Sequence, residues 1–494
     1  MTRGANGDAE PLMPAIGFEP ATRAEWAALA EEALDGRTAD SLSTTTRDGI
    51  ELPPVYGPDY LVGRVDPSGM PGSSPHTRGA TSTGPVDGAW DVRALVADAG
   101  PQAANATALD ELARGSTSLL VDPTAIGLAA AGDLAEVLDN VHLEMAGVWL
   151  VPGPKADGPA RWLLDLWDRR GVAAPDRRGG LGLDPLGVAA RHGTPQEFSS
   201  DLAVLAAAVA DTPGVRAVTV DATPYAEAGA SEAWELACSL ATGVAYLRSL
   251  TDAGLGLDDA LGTLAFTYSA DTDQFATISK LRAARRLWDR VAEACGAPPD
   301  QRAQVQHALT SAAVLARTDP WGNLLRNTVA AFSAGIGGAR AITVRPFDSA
   351  IGRPDEFGRR TARNTQLLLT EEAGVARVVD PAGGSWYVED LTDRLAEAAW
   401  ERFRSLEADG GMAVALASGR IAAEVDAAWE VREARRASGQ EPIIGVSIHP
   451  DLDQVPLERP AGPPTPSGPM PLRRRSAAFE ATRPGTGLDA GSPD

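Results

Sequence analysis

Few of the 494 residues have the type and spacing to do chemistry. There are five histidines: His76, His142, His192, His307 and His449. His307 lies in the apolar run VQHALTSA with Thr310 and Ser311 beyond it. That places one imidazole and two hydroxyls on a strand-like segment. Proton transfer and a satisfied core histidine both fit, and the core role is the commoner one for a histidine among apolar neighbours. The two cysteines, Cys238 and Cys295, fall in helical segments and are too few for a disulfide framework, so buried free thiols in a reducing cytoplasm are expected. No glycine-rich phosphate loop, zinc spacing or nucleophile elbow is present, and no metal ligands are assigned. Trp321 and Trp386 read as core or interface anchors rather than stacking platforms. The run AARRLW, with Arg285 and Arg286, reads as a solvated helix face plus one buried tryptophan.

Several elements must position these residues. From Trp90 to about Phe347 short apolar runs alternate with alanine-rich helical stretches: WDVRALV, TSLLVDP, GVWLVPG, GGLGLDP, VRAVTVDAT, TLAFTYSA, VQHALTSA and ARAITVRPF. About eight strands separated by helices is an α/β pattern, met by a (β/α)8 TIM barrel or by a doubly wound open sheet. Asp122, Pro152, Asp184 and Asp221 end strands at what would be a barrel's C-terminal mouth, where barrel enzymes place their chemistry. Residues 90–350 are assigned to this body. Ahead of it, 1–89 hold a polar opening, a helical run FEPATRAEWAALAEEAL with Phe18, Trp26, Leu29 and Leu34 as its apolar stripe, and an extended arm LSTTTRDGIELPPVYG. Behind it, 351–449 carry helices from Thr392 to about Ser438, with a stop at Gly410-Gly411. Residues 450–494 are dense in Pro and Gly and are expected to be a linker or disordered tail.

Composition narrows the partners. Hydrophobic residues make up 44%, enough for a large core. A net charge of −23 repels nucleic acid and anionic membranes. No apolar run reaches about 18 residues, and the N-terminus lacks the features of a secretory signal or transit peptide. A cytoplasmic location is expected.

Three stretches carry a family resemblance: TARNTQLLLTEEAGVARVVDPAGGSWYVEDL (361–391), DPWGNLLRNTVAAFSAGIGGARAITVRPFD (319–348) and DTDQFATISKLRAARRLW (271–288). Together they resemble the methylmalonyl-CoA mutase family, adenosylcobalamin-dependent enzymes that interconvert methylmalonyl-CoA and succinyl-CoA by radical rearrangement. The resemblance implies the barrel over the open sheet, and an N-terminal arm that wraps a partner subunit. It also implies that cobalt is ligated by a histidine in Asp-x-His-x-x-Gly on a flavodoxin-like domain. None of the five histidines here follows an aspartate at that spacing, so no cobalamin-binding flavodoxin-like domain is expected in this chain.

The family's substrate positions are only partly kept. Glu227-Ala228-Gly229-Ala230 matches its Glu-Ala-Gly-Ala, but Thr223 and Pro224 stand where the family has Tyr-His. Proline has no donor to replace an imidazole. Leu309 stands for a glutamine and Val305 for an arginine, while His307, Thr310 and Ser311 are retained. The carboxylate-binding Gly-Thr-x-Gln-Asn-Asp loop is missing; Gly193-Thr194 runs into Pro195. Within His76-Thr77-Arg78-Gly79, Arg78 could hold a coenzyme A phosphate or close a structural salt bridge. The pattern is most like the small, non-catalytic subunit of heterodimeric bacterial mutases. Thr223, Pro224 and Leu309 are then degenerate positions, no residue is catalytic, and Arg78, His307 and Thr310 are the substrate-binding candidates. Adenosylcobalamin would be held by a large catalytic partner subunit, with acyl-CoA engaged by the complex. Two other readings fit the same residues: the substrate barrel of a split acyl-CoA mutase with a separate cobalamin chain, and a ligand-free assembly protein.

Overall fold

The structure, a computed structural model, describes residues 21–57, 60, 68–84, 89–193 and 200–482. Phe18, Thr194 and Pro195 lie outside the described residues. The chain divides into two compact units, 1–57 and 58–494. In the first, the helix Arg23–Ala33 starts at a capping box: Thr22 Oγ1 accepts from the Glu25 amide at 3.2 Å and Glu25 Oε2 accepts from the Thr22 amide at 2.7 Å. None of its residues is buried, and Leu29 is 67% exposed. A short antiparallel hairpin follows, β1 (Thr44–Thr45) with β2 (Glu51–Leu52).

In the second unit, all eight sequence-predicted strand runs are strands: β3 (Asp91–Val96), β4 (Ser118–Val121), β5 (Gly147–Leu150), β6 (Gly179–Leu183), β7 (Val215–Asp221), β8 (Leu264–Ala270), β9 (Gln306–Thr310) and β10 (Ala341–Thr343). Each pairs in parallel with the next. The last pairs with the first, Ala341 opposite Asp91 and Ile342 opposite Val92, which closes a barrel and rules out the open sheet. Two strands run into helices through Asp-Pro steps. Asp122 accepts from the Thr124 and Ala125 amides, and Asp184 from the Gly187 amide, each with proline as the first helical residue. Proline needs no partner for an amide there, and the carboxylate satisfies amides that a helix start leaves open.

The helix Gln274–Ala294 corrects one expectation. Arg285 is buried in it rather than solvated, as is Arg282, while Arg286 stays part-exposed beside Asp393, because the helix packs against three others, Glu232–Asp252, Gly322–Ile336 and Trp386–Ala408. Trp288 is buried as expected, 4.6 Å from Phe266. Of the two thiols expected to be buried, Cys238 is, but Cys295 is exposed. The buried charges there are hydrogen-bonded, Lys280 to a carboxylate and Arg285 to neutral acceptors alone. Lys280 Nζ donates to Glu235 Oε2 at 2.5 Å and to the Ser269 carbonyl at 2.7 Å. Arg285 reaches the His76 and Thr77 carbonyls at 3.1 and 2.8 Å and Gln306 Oε1 at 2.7 Å. Removing one member of a buried pair of this kind costs about 3–5 kcal/mol.

The C-terminal helices are Trp386–Ala408, Gly411–Ala417 and Arg420–Ala437. The first begins six residues before Thr392, inside the family signature. Residues 450–482 depart from the linker expected of their composition. They form one short helix, Ala477–Thr482, but are tied to the barrel by arginines and backbone bonds, with Met470, Ser476 and Glu480 buried. Charge pairing docks a segment too poor in large apolar residues to dock by hydrophobic burial. Among the described residues no helix is long and apolar enough to cross a membrane.

Candidate functional site

At the C-terminal ends of β6 and β7 a carboxylate–arginine network fills the barrel mouth. Asp221 ends β7 and accepts from Thr223 Oγ1 at 2.6 Å and from Arg191 Nη2 at 3.2 Å. The same guanidinium donates to Thr223 Oγ1 at 2.9 Å and to Glu227 Oε2 at 3.5 Å. Glu227 Oε1 also accepts from Arg345 Nη2 at 3.0 Å and the Ala312 amide at 3.2 Å. Burial opposes ionisation of Glu227, but Arg345 and Arg191 outweigh it and hold the carboxyl below its usual range. Asp184 lies behind this set, accepting from Tyr246 Oη, the Gly187 amide and the Asp221 amide. Burial, reinforced by the Asp221 carboxylate, pushes Asp184 up to about 7.

Thr223 and Pro224 are buried at the start of the helix Thr223–Ala228. The Thr223 hydroxyl both donates and accepts within the network, which ties it to Asp221 and Arg191. Leu309 is half-buried on β9, opposite Ser269 on β8 and Thr343 on β10. His307 Nε2 is 2.9 Å from Thr343 Oγ1. Burial, with Arg93 and Arg345 nearby, drives its pKa well down, so the ring is neutral. Thr310 Oγ1 accepts from the Arg345 amide at 2.8 Å, and its carbonyl accepts from Arg345 Nε at 3.0 Å. These three β9 residues share a strand, and Arg345 links Thr310 to Glu227.

Arg78 is in a different cluster. Its Nε donates to Asp380 Oδ2 at 2.9 Å, and Asp380 also pairs with the fully buried Arg282. Arg282 in turn donates to both oxygens of Glu389 at 2.6 Å, and Glu389 accepts from Ser68 Oγ and the Gly384 amide. The DPAGGSWYVE signature is thus a pair of counter-ions for two arginines. Gly383 serves it directly: a Cβ there would stand 2.4 Å from Asp380 Oδ2 and 2.9 Å from Arg78 Nη2. Gly383 also makes the expected turn, its amide donating to the Asp380 carbonyl at 2.9 Å.

The mouth is covered by the chain itself. Trp429 packs on Gly229, where a Cβ would lie 2.8 Å from the indole and φ is +119°. Residues 468–475 cross the loops that follow β6, β7 and β9. The amides of Gly468, Met470, Arg473 and Arg475 donate to the carbonyls of Arg191, Ala190, Glu227 and Ala313 at 2.9–3.0 Å. Beyond β8, Arg475 forms a two-pronged pair with Asp271. Glu480 accepts from the Arg317 and Thr318 amides and from Arg474. Trp429 and Arg473 lie against Gly229 and Glu227, and no step is assigned through the corrin ring that the family resemblance implies. Among the described residues no three His, Cys, Asp or Glu side chains converge as metal ligands.

Sequence reasoning missed Arg191, Arg345, Trp429 and Arg475. Arg191 reaches partners 30 to 36 positions away, Arg345 one 118 away and Arg475 one 204 away, so no local pattern marks them.

Fold and mouth together define a (β/α)8 barrel whose C-terminal mouth carries paired carboxylates and arginines crossed by a strap. The chain belongs to the methylmalonyl-CoA mutase family, a family of isomerases of the intramolecular-transferase type; the family's profile matches residues 45–462. It is 46% identical over 486 residues to the methylmalonyl-CoA mutase small subunit of Streptomyces virginiae, covering 96% of this chain and 77% of that one. Against the small subunit of Propionibacterium freudenreichii subsp. shermanii the identity is 40% over 483 residues, covering 94% and 74%. A methylmalonyl-CoA mutase of Cereibacter sphaeroides is 32% identical over 460 residues, covering 88% of this chain and 65% of that one.

Proposed function

We propose that this chain is the small, non-catalytic subunit of a cytoplasmic, adenosylcobalamin-dependent methylmalonyl-CoA mutase. Its large partner subunit binds the cofactor and acyl-CoA and does the chemistry. The observation that carries this reading is the mouth. Thr223 and Pro224 stand at the positions that steer substrate in the family, and both are enclosed under Trp429 and the 468–475 strap. A carbon radical needs a site that admits substrate and then excludes water; ion pairs and the strap occupying this mouth support a barrel that does not do that chemistry. Arg78, His307 and Thr310, the retained candidates, hydrogen-bond to the chain itself, and Leu309 offers only apolar surface. In this reading they keep the scaffold closed. The arm in the first 57 residues, with its unburied helix, supports a role in wrapping the partner.

The test is turnover of methylmalonyl-CoA with adenosylcobalamin by the chain alone, by the large subunit alone and by their mixture. The mixture is expected to turn over and the chain alone to be silent, with no coenzyme A thioester binding to the isolated chain by titration. Turnover by the chain alone overturns the reading.

A further inference from the structure

The barrel's other end, opposite the mouth, carries charge of the sign the molecule otherwise lacks. Arg178 immediately precedes β6, Arg216 is the second residue of β7, and Arg340 immediately precedes β10. The strands are parallel in a closed ring, so the three arginines share its N-terminal rim. Arg178 lies between the starts of β5 and β7: Cβ atoms added at Gly147 and Gly214 would stand 3.6 and 3.4 Å from its aliphatic stem. Arg216 Nη1 donates to the Pro213 and Val215 carbonyls at 2.8 and 3.1 Å. Arg340 lies close enough for its charge to act on Arg216 and on Arg93 of β3.

Among the described residues, none of the three rim arginines has a carboxylate at salt-bridge distance. Scarcity of acids does not explain this, since the chain holds 67 acidic residues against 44 basic ones. Asp91, the carboxylate at the start of β3, is taken by Arg93, Thr117 and Ser118. Burial and the Arg340 charge push half-buried Arg216 down to about 10, which leaves it a cation at neutral pH. Cations gathered in a partly desolvated place repel one another until a counter-ion arrives. The planar fork of arginine suits a phosphoryl group, which accepts two N–H donors at once. The overall charge of −23 holds extended polyanions off, whereas a compact ion meets only the local field of the rim.

We propose that the N-terminal rim, at Arg178, Arg216 and Arg340, is a binding site for a small anion of linked phosphoryl groups with a free end. Free pyrophosphate and the phosphate terminus of a nucleotide share that chemistry. The bound anion ties the starts of β6, β7 and β10 together through one ligand and so stabilises the closed barrel. The site lies at the end that barrel enzymes leave to stability rather than to chemistry. It goes beyond the small-subunit reading and does not depend on it.

The test is calorimetric titration and thermal melting of the full chain with inorganic pyrophosphate, with adenosine triphosphate as a second arm and sodium chloride of equal ionic strength as blank. Both are repeated with Arg216→Gln, with Arg340→Gln at an exposed position, and with the control Arg404→Gln on the helix Trp386–Ala408. Pyrophosphate is expected to bind once per chain and to raise the melting temperature as its concentration rises. Each rim variant is expected to weaken binding about ten-fold or more, and the control not at all. Binding of the nucleotide without pyrophosphate keeps the site and assigns it to a nucleotide terminus. Should Arg216→Gln fail to fold, Arg340→Gln alone decides. Neither anion binding, or binding that the rim variants leave unchanged, overturns the site.

Discussion

Asp184 has the most consequential chemistry of any single residue here, because it is buried, ends a barrel strand and caps a helix at once. Its carboxyl, ordinarily near 3.8, is pushed to about 7 by burial and the Asp221 carboxylate. A raised folded-state value favours the protonated form in the native state. The stability this contributes is complete below the ordinary value and is lost as pH rises towards 7. The Asp184→Asn variant removes that titration. Its stability relative to wild type should therefore improve steadily from about pH 4 to pH 7, by on the order of a few kcal/mol. Urea denaturation of both proteins across this range checks the slope; a pH-independent difference would refute the raised pKa. The absolute difference can take either sign, since the asparagine amide cannot accept from the Asp221 amide as the carboxylate oxygen does.

At the scale of elements, strands and caps were readable in the sequence and docking was not. Runs such as TSLLVDP and GGLGLDP announce a strand, its end and the next helix within seven residues, because strand period, capping carboxylate and proline are all local. The mouth strap shows the opposite case. Pro and Gly density in 450–482 describes the backbone correctly as irregular, yet says nothing about Arg475 finding Asp271, 204 positions earlier, beyond β8. The burial of Arg282 and Arg285 was equally illegible, since their acceptors lie more than 90 positions away for Arg282 and more than 200 for the His76 and Thr77 carbonyls. The strap's dependence on charge leads to a prediction. Arg475→Ala leaves the nearly buried Asp271 without its guanidinium and should destabilise the chain by about 2–4 kcal/mol. Hydrogen exchange should then quicken through 468–482 while the barrel strands keep their protection. Equal protection of the strap in variant and wild type would mean that its backbone bonds suffice.

For the whole molecule, charge sets the company it keeps. With −23 net charge, the molecule as a whole repels phosphates rather than holding them. Duplex DNA at about 0.1 M salt should bind no more tightly than about 10⁻⁴ M, read by fluorescence anisotropy. Micromolar binding would reveal a basic surface that the charge balance hides. The barrel itself and its family membership were legible in the sequence; the closed mouth emerged only from the assembled chain.

The enclosed guanidinium of Arg285 constrains how this chain matures. Two of its acceptors, the carbonyls of His76 and Thr77, belong to a loop synthesised some two hundred residues earlier. Until that loop returns, the guanidinium has only Gln306 Oε1 and the Gly338 carbonyl as acceptors, and its remaining N–H groups must stay wet. A fragment beginning after residue 80 would carry this defect permanently. The early loop thus completes the hydrogen bonding of a helix packed outside the eight strands, and a fragment without it should be less stable than the whole chain.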